Sequence, residues 1–439
     1  MLCFKYLRPI LFALLLSVAF SACKPREGDS GPSKTEIREA AGAYQLLVDG
    51  DPYFIKGAGM QSGNMEALAA HGANTFRTWR LSNGRIPVTE LLDKADSLGL
   101  KVVMGLDVGL ERKGFDYNDD KAVSLQLERI RTEVNSIKDH PALLLWLIGN
   151  ELNHHAENPK VWDAVNDISK MIHREDPYHL TSTPLAGMNK EDVEMVMERA
   201  PDLDFLSVQM YGEIEILSRR IAESGYDGPL MITEWGATGY WEVPKTDWGA
   251  PIENNSSVKA DYYHSRYQQS IAANSEQIIG SFVFLWGQKQ ERTPTWFGMF
   301  MPDGKESESI DVMHKVWKGD WPANRSPRLK GFSLDGRQAE DNIQLMAGDL
   351  YPAQVEVNDP DGDSLVYHWE IRRESESKAT GGDRESVPEL IPGLFEGEVD
   401  ASVNFTAPSD SGAYRLFIYV EDGQNHVAHA NIPFWVSIR

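Results

Sequence analysis

The strongest constraint on the fold is residues 142–151 (ALLLWLIGNE), an almost unbroken apolar run that ends in the polar pair Asn150 and Glu151. An apolar run without alternating polar residues is typical of a strand buried on both faces, and therefore of a parallel sheet. Burying an unpaired carboxylate is energetically costly, so we expect Glu151 to open into a cavity at the carboxyl end of this strand.

A second apolar segment, residues 229–234, ends in the same way, at Glu234. Eight short apolar runs of this kind alternate with longer stretches of helical periodicity across residues 43–324. This alternation predicts an α/β fold, a (β/α)8 TIM barrel with its site at the carboxyl ends of the strands. A doubly wound open sheet is the alternative, but no glycine-rich phosphate loop follows the first strand. The predicted strands end near Gly59, Trp79, Asp107, Glu151, Pro184, Tyr211, Glu234 and Trp286.

The pattern changes near residues 321–327. Beyond them, short alternating segments separated by turn residues predict a β-sandwich over residues 325–439. Residues 410–414 (DSGAY) resemble the tyrosine corner of immunoglobulin-like domains, and Trp369 is the candidate core tryptophan beneath it. The disulfide of antibody domains is absent, so the immunoglobulin-like prediction concerns architecture. This domain either binds glycan or only supports the barrel, and the lack of an obvious row of exposed aromatic residues favours support.

Residues 1–22 have the composition of a signal peptide, with a positively charged start and an apolar segment too short to span a bilayer. Residues 20–23 (FSAC) resemble a bacterial lipobox, which implies lipidation of Cys23; ordinary signal cleavage is the alternative. We expect residues 23–42 to be the lipidated cysteine and a tether, and the protein to be anchored to the outer membrane, at the cell surface or on the periplasmic face. Cys3 and Cys23 are the only cysteines, so no disulfide is expected after cleavage.

The formal net charge of −23 argues against nucleic acid or an anionic membrane surface as the main binding partner. A neutral polymer such as a polysaccharide is compatible with this charge, although solubility alone also explains it. We expect a monomer that uses no cofactor.

Residues 140–151 resemble the acid/base strand of glycoside hydrolase clan A, especially the family 2 catalytic barrel, and residues 233–236 (TEWG) resemble the clan's nucleophile strand. A barrel followed by one immunoglobulin-like domain is more similar to the family 158 endo-β-1,3-glucanases. The resemblance implies a retaining endo-acting β-glucanase that hydrolyses laminarin-type β-1,3-glucan, with Glu151 as acid/base and Glu234 as nucleophile. Such a mechanism places the two carboxyl groups about 5–5.5 Å apart.

The two carboxyl groups must hold different charges. Arg77 and Tyr211, at the ends of the second and sixth strands as in clan A, would keep Glu234 ionised, whereas the neighbouring carboxylate would raise the pKa of Glu151. Asn150 would hydrogen-bond the sugar 2-hydroxyl. A structural ion pair at Arg77 and simple rim packing at Tyr211 are the alternatives.

Flat aromatic side chains suit the apolar faces of sugar rings. The resemblance implies that Trp286 floors the sugar subsite, and Trp79 and Trp235 are further candidates, with core packing as the alternative. We expect Trp146 to form an apolar wall beside Glu151, and the loop 239–257, with Trp241 and Trp248, to wall the cleft.

His154 and Asp107 are further candidates for contacts with sugar hydroxyls. His154 and His155 are adjacent and cannot both face one ion from regular structure, so no metal is predicted there. The acidic turn at residues 359–363 (DPDGD) is either a plain β-turn or a set of Ca²⁺ ligands.

Other functions remain open at this stage. One is a retaining β-glycosidase or transglycosylase of another specificity, similar to a β-mannosidase or β-galactosidase. Another is a surface lipoprotein that binds glycan in the barrel cleft without hydrolysing it.

Overall fold

The computed structural model describes residues 31–82, 84–380, 382–397 and 399–439. The predicted signal peptide, Cys23 and the first residues of the predicted tether lie outside these described residues. Among the helices within them, none is long and apolar enough to cross a membrane.

Three short antiparallel strands lie across the amino-terminal end of the barrel. The backbone N–H of Thr35 donates to the carbonyl of Tyr178 (2.9 Å), and Leu46 and Val48 join the apolar cluster of the barrel interior. The strands therefore close the bottom of the barrel, opposite the predicted site. They are β1 (Thr35–Ala40), β2 (Ala43–Val48) and β3 (Asp51–Pro52).

This arrangement corrects the predicted end of the tether at residue 42. All six residues of β1 pair with β2, so residues 35–40 belong to the folded domain. Their sequence, TEIREA, carries a single large apolar side chain. A strand of this composition cannot be told from a linker without its partner strand.

The barrel consists of parallel strands whose order in the sheet matches their order in the chain. The fifth strand is in two pieces, of which the first pairs with the fourth strand and the second with the sixth, so the ring of eight closes. The predicted (β/α)8 barrel is confirmed. Its strands are β4 (Ile55–Gly59), β5 (Thr75–Arg77), β6 (Lys101–Leu106), β7 (Leu143–Ile148), β8 with β9 (Leu180–Ser182 and Pro184–Ala186), β10 (Leu206–Gln209), β11 (Leu230–Gly236) and β12 (Ile278–Phe284).

Eight helices in the described residues surround the strands. Several begin where an Asn or Asp side chain accepts hydrogen bonds from the first-turn N–H groups, as Asp119 and Asn255 do. Their buried faces pack on the outside of the sheet. They are α1 (Met65–Ala70), α2 (Val88–Ser97), α3 (Asp120–Ile137), α4 (Lys160–Glu175), α5 (Lys190–Arg199), α6 (Leu217–Ser224), α7 (Ser256–Arg266) and α8 (Glu308–Lys318).

Strand β7 shows how the apolar runs are used. Leu145 and Leu147 belong to the cluster inside the barrel, whereas Trp146 and Ile148 belong to the cluster between sheet and helices. Successive strand residues point to opposite faces, so a strand covered on both faces must be apolar at every position.

The C-terminal domain is the predicted two-layer β-sandwich. The Tyr414 hydroxyl donates to the carbonyl of Asp410 (3.0 Å), and the buried Trp369 packs against Phe332. One sheet has the order β14-β16-β19-β18, and the other β13-β21-β20-β17 with β15 beside β21. The strands are β13 (Glu306–Ser307), β14 (Arg328–Leu334), β15 (Gln344–Met346), β16 (Leu350–Asn358), β17 (Val366–Arg373), β18 (Phe395–Glu396), β19 (Ser402–Thr406), β20 (Gly412–Glu421) and β21 (His426–Ser437).

A buried polar group joins the two domains; we name it the interdomain cluster, formed by Glu253, Lys259, Thr293, Thr295 and Asn431. Glu253 pairs with Lys259 and accepts hydrogen bonds from both threonine hydroxyls and from Asn431 Nδ2 (2.7 Å). Asn431 lies on β21, so a side chain of the sandwich donates a hydrogen bond to the carboxylate of an ion pair in the barrel. The cluster fixes the sandwich against α7.

Candidate active site

Glu234 lies on β11 near its carboxyl end and is 5% exposed. Its Oε1 accepts hydrogen bonds from Trp79 Nε1 (2.8 Å) and Arg77 Nη1 (3.3 Å), and its Oε2 accepts one from the Tyr211 hydroxyl (2.7 Å). Burial and the charge of Glu234 raise the pKa of Tyr211 well above its usual range, so the phenol stays a donor. Three donors, one of them cationic, suit an ionised carboxylate, which only accepts.

Arg77 is completely buried and connects Glu234 with Asn150. Its Nη2 donates to Asn150 Oδ1 (2.8 Å), which also accepts a hydrogen bond from Gln209 Nε2 (2.7 Å). Because both donors take the amide oxygen, the orientation of Asn150 is fixed, and its Nδ2 group is left to donate to a ligand. This is the geometry that a contact with a sugar hydroxyl requires.

Glu151 follows β7 in a left-handed backbone conformation (φ +50°) that residues other than glycine seldom adopt. Its N–H donates to the carbonyl of Pro184 (2.9 Å), which ties this strained turn to the fifth barrel strand. Burial raises the pKa of Glu151, and the negative charge of Glu234 raises it further, against a smaller opposing effect of Arg77. The Glu151 carboxyl therefore favours its protonated form.

Glu151 and Glu234 line the same cavity of about 1630 Å³ at the carboxyl end of the barrel. Loops after all eight strands contribute to its wall. Phe284 and Phe297 are buried beside Tyr211, and Trp241 is 53% exposed on the rim. The cavity thus combines two carboxyl groups of different character with aromatic walls.

Two other predicted residues, Asp107 and His154, also line the cavity. Asp107 is exposed, and its carbonyl accepts a hydrogen bond from Arg129. His154 is half-buried, and its Nε2 has no hydrogen-bond partner among the described residues. Burial lowers the pKa of His154, and the adjacent His155 lowers it further, which favours a neutral ring.

Three predicted tryptophans lie away from the cavity, and these predictions are corrected. Trp235 is fully buried against Tyr263, because its neighbour Glu234 points into the barrel mouth and adjacent strand residues face opposite sides. Trp146 faces the helix layer, because its neighbours Leu145 and Leu147 point into the barrel, and its Nε1 donates to Asp176 (2.7 Å).

Trp286 is the third correction. The chain leaves the barrel interior after Phe284, so the Trp286 ring is buried behind the strand against Phe300 and Trp317, and its Nε1 donates to the carbonyl of Asn64 (3.0 Å). Phe284 lines the cavity in its place.

The predicted wall loop 239–257 divides between two roles. Trp241 lines the cavity, whereas Trp248 packs against Trp435 of the sandwich, with ring centres 6.1 Å apart. Only the first half of the loop therefore forms the cleft wall.

Gln209 is a cavity residue that the sequence analysis missed. It is 3% exposed, and its Oε1 has no hydrogen-bond partner among the described residues. A signal for it was present, since the sequence predicted a sixth strand that ends at Tyr211, on which residues 209 and 211 fall on the same face by strand alternation, and Tyr211 was already a candidate.

The described residues contain one group of carboxylates spaced to hold a metal ion, Asp359, Asp363 and Asp422, whose oxygens lie within 4.8 Å of one another. It belongs to the sandwich and contributes nothing to the lining of the cavity. Asp359 Oδ1 accepts N–H groups from residues 361–363, as in a β-turn closed by its own side chain.

No protein-family model matches the chain. Similar solved structures include a β-D-glucuronidase of Dictyoglomus thermophilum (15% identity, 65% of this chain and 53% of that chain covered, TM-score 0.49). Others are a putative β-galactosidase from Bacteroides fragilis (15%, 92% and 58%, 0.49) and a glycoside hydrolase family 5 mannosidase from Rhizomucor miehei (16%, 64% and 96%, 0.49). The chain thus spans 53% and 58% of the first two, and at this level of similarity none of the three assigns an activity.

Proposed function

We propose that the protein is a retaining β-glycoside hydrolase in which Glu234 is the nucleophile and Glu151 the acid/base. The observation that carries the proposal is that two carboxyl groups in one cavity have different hydrogen-bonding and electrostatic environments. Glu234 receives three hydrogen bonds, including one from the buried Arg77, while Glu151 has a raised pKa. A retaining mechanism needs this division of charge.

In the proposed reaction, Glu234 attacks the anomeric carbon while Glu151 gives its proton to the departing glycosidic oxygen. The resulting glycosyl-enzyme is hydrolysed by a water molecule that Glu151, now ionised, deprotonates. The bond to Glu234 neutralises that carboxylate, so the pKa of Glu151 falls at the moment when a base is needed. Asn150, fixed by Arg77 and Gln209, would donate to the sugar 2-hydroxyl.

We propose an internal bond of a β-linked glucan, most specifically β-1,3-glucan, as the substrate. The cavity volume of about 1630 Å³ supports a substrate of several sugar units, since pockets for small ligands are usually about 300–1,000 Å³. The choice of β-1,3-glucan rests on the sequence resemblance to family 158, with other β-glycosides as the competing substrates.

The proposed cellular setting rests on the N-terminal sequence. Lipidation of Cys23 would hold a monomeric enzyme at the outer membrane, where polymeric glycan is accessible. Exchange of Cys23 for Ala should move the protein from the membrane fraction to the soluble fraction, and unchanged fractionation would contradict the lipid anchor.

The proposed activity is tested by following hydrolysis of laminarin by NMR, beside mannan, galactan and aryl β-glycosides. We expect oligosaccharide products whose newly formed reducing end is first β and then mutarotates. An initial α-anomer contradicts the retaining mechanism, and preferred cleavage of another polymer corrects the substrate. Binding of laminarin without release of sugar would show a glycan-binding protein instead.

A further inference from the structure

A long connection of the sandwich reaches the mouth of the barrel. It comprises the described residues 374–380 and 382–394, between β17 and β18; we name them the bridging loop. Thr380, Gly382 and Asp383 of this loop line the same cavity as Glu151 and Glu234. The sandwich therefore contributes to the wall of the candidate active site.

One side of the bridging loop is attached to the barrel loop after β6. Asp383 pairs with Lys113 Nζ (2.7 Å) and with Arg112 Nη1 (3.3 Å). The Lys113 ammonium, and to a smaller extent the Arg112 guanidinium, lowers the pKa of Asp383, so this carboxylate stays ionised and the attachment persists at neutral pH.

The other side is attached to the barrel loops after β11 and β12. Arg292 donates to the carbonyls of Ser377 and Ala379, and its backbone N–H donates to the buried Glu385 (2.8 Å). The Tyr240 ring lies under the Arg292 guanidinium, 4.4 Å from it. This side combines partly buried hydrogen bonds with an ion pair between Arg292 and the buried Glu385 (3.7 Å).

These attachment points lie on opposite sides of the barrel. In a ring of eight, β6 is the third strand and β11 the seventh. The Tyr240 hydroxyl, in the loop after β11, donates to the carbonyl of Ala379 (3.4 Å), and Asp383 pairs with the loop after β6, so the segment spans the mouth between these two loops. The cavity that contains the two glutamates extends to the inner surface of this segment.

We propose that the bridging loop is a roof over the bound polysaccharide, and that the sandwich is a substrate-binding part of the enzyme. This inference rests on the proposed function. Sugar units further along the chain than the few next to the cleaved bond would contact the loop from below. The loop would then increase the affinity for long chains while leaving the chemistry at Glu151 and Glu234 unaltered.

The test compares laminarin with laminaritriose as substrates of the wild type, Asp383→Asn and Thr380→Trp. The first variant weakens the attachment to Lys113 and Arg112, and the second fills the space beneath the roof. We expect kcat/KM for laminarin to fall about fivefold or more in both, through a higher KM, because loss of a significant contact changes binding by about this factor. For laminaritriose, which is too short to reach the roof, kcat/KM should fall less than for laminarin, so the ratio of laminarin to laminaritriose activity should decrease.

Asp349→Asn is the matched control, because it weakens an exposed ion pair of the sandwich, with Arg439, and Asp349 is not among the residues that line the cavity. Its kinetics should equal those of the wild type. If the ratio of laminarin to laminaritriose activity is unchanged in both loop variants, the roof does not exist. If the wild type cleaves neither substrate, the proposed function fails, and the roof is then tested by calorimetry of laminarin binding. Weaker binding of laminarin by both loop variants than by the wild type supports the roof. Equal binding overturns it.

Discussion

Two of the buried clusters that the structure describes are built around a glutamate, one at the mouth of the barrel and one between the domains. In the first, Glu234 faces Arg77 and Tyr211, and a second carboxyl, Glu151, lies in the same cavity. In the interdomain cluster, a single carboxylate, Glu253, balances a single cation, Lys259.

The pKa values of the two clusters move in opposite directions. Burial acts to raise the pKa of Glu253. The positive charge of Lys259, together with the hydrogen bonds that the Glu253 carboxylate accepts, lowers this pKa to about 2. Burial raises the pKa of Glu151, and a like charge adds to that effect. A buried carboxylate is thus no indication of chemistry by itself. Two carboxyl groups that share one cation and line an open cavity are a stronger indication, because one of them keeps its proton where a substrate can reach it.

The largest effect is expected from the same substitution in each cluster. Glu234→Gln should reduce hydrolysis by at least about 10³-fold, because the nucleophile is lost. It should cost little stability, since Glu151 can then ionise and balance Arg77. Glu253→Gln should lower the free energy of unfolding by about 3–5 kcal/mol, because Lys259 loses its only carboxylate partner in the cluster.

Turnover and denaturant unfolding of both variants are the measurements for this exchange. Folded Glu253→Gln protein should retain kcat near that of the wild type. Equal stability losses in the two variants would erase the distinction between the clusters, and normal turnover by Glu234→Gln would remove Glu234 from the chemistry.

A smaller effect is expected from two buried tyrosine hydroxyls. Tyr211 donates to the Glu234 carboxylate (2.7 Å), and Tyr263 donates to the carbonyl of Phe284 (2.9 Å). Tyr211→Phe should lower kcat about 10- to 100-fold, because a hydrogen bond to a charged group contributes about 1.5–3 kcal/mol. Tyr263→Phe is the control and should lower stability by about 1 kcal/mol with kcat near the wild-type value. Equal kcat values in the two variants would show that the Tyr211 hydrogen bond is only structural.

The smallest effect concerns pH, and its sign differs between the clusters. The pKa of Glu253 is lowered on folding, so its contribution to stability is complete above about pH 4.3 and is lost as the pH falls towards about 2. The pKa of Glu151 is raised, so its contribution to stability is complete below about pH 4.3 and is lost as the pH rises through the pKa of the folded state.

The unfolding free energy should therefore change less steeply with pH on the acid side in Glu253→Gln, and should decrease less above about pH 4.3 in Glu151→Gln. The alkaline limb of wild-type kcat/KM should follow the ionisation of Glu151. In Glu234→Gln, an NMR titration should find the pKa of Glu151 lowered, and an unchanged value would contradict the electrostatic coupling of the two carboxyl groups.

The sequence predicted the fold well, because two-sided burial leaves a strong pattern. Runs such as residues 142–148 are apolar at every position, and only a covered parallel sheet uses such strands. Glu151 and Glu234 stood out because a charged residue directly after such a run has few structural explanations. The N-terminal strand β1 was missed, since its pairing with β2 is what distinguishes it from a linker.

The tryptophans show where pattern analysis fails. Trp235 and Trp286 lie at the carboxyl ends of strands, as Trp79 does, yet of these three only Trp79 reaches the cavity, where it donates to Glu234. Strand alternation turns the Trp235 ring away from the cavity, and the turn of the chain after Phe284 places the Trp286 ring behind the strand. The orientation of Trp235 could have been predicted from the sequence, because its neighbour Glu234 was expected to face the cavity. The orientation of Trp286 could not.

The sequence by itself determined the barrel, the sandwich and the two carboxyl groups at strand ends, because local periodicity and the cost of burying charge are properties of short segments. Only the tertiary structure decided which aromatic rings face the cavity, that Gln209 and Arg77 fix Asn150, and that a loop of the sandwich crosses the barrel mouth. These features depend on contacts between residues far apart in the chain, and such contacts leave no periodic pattern along it.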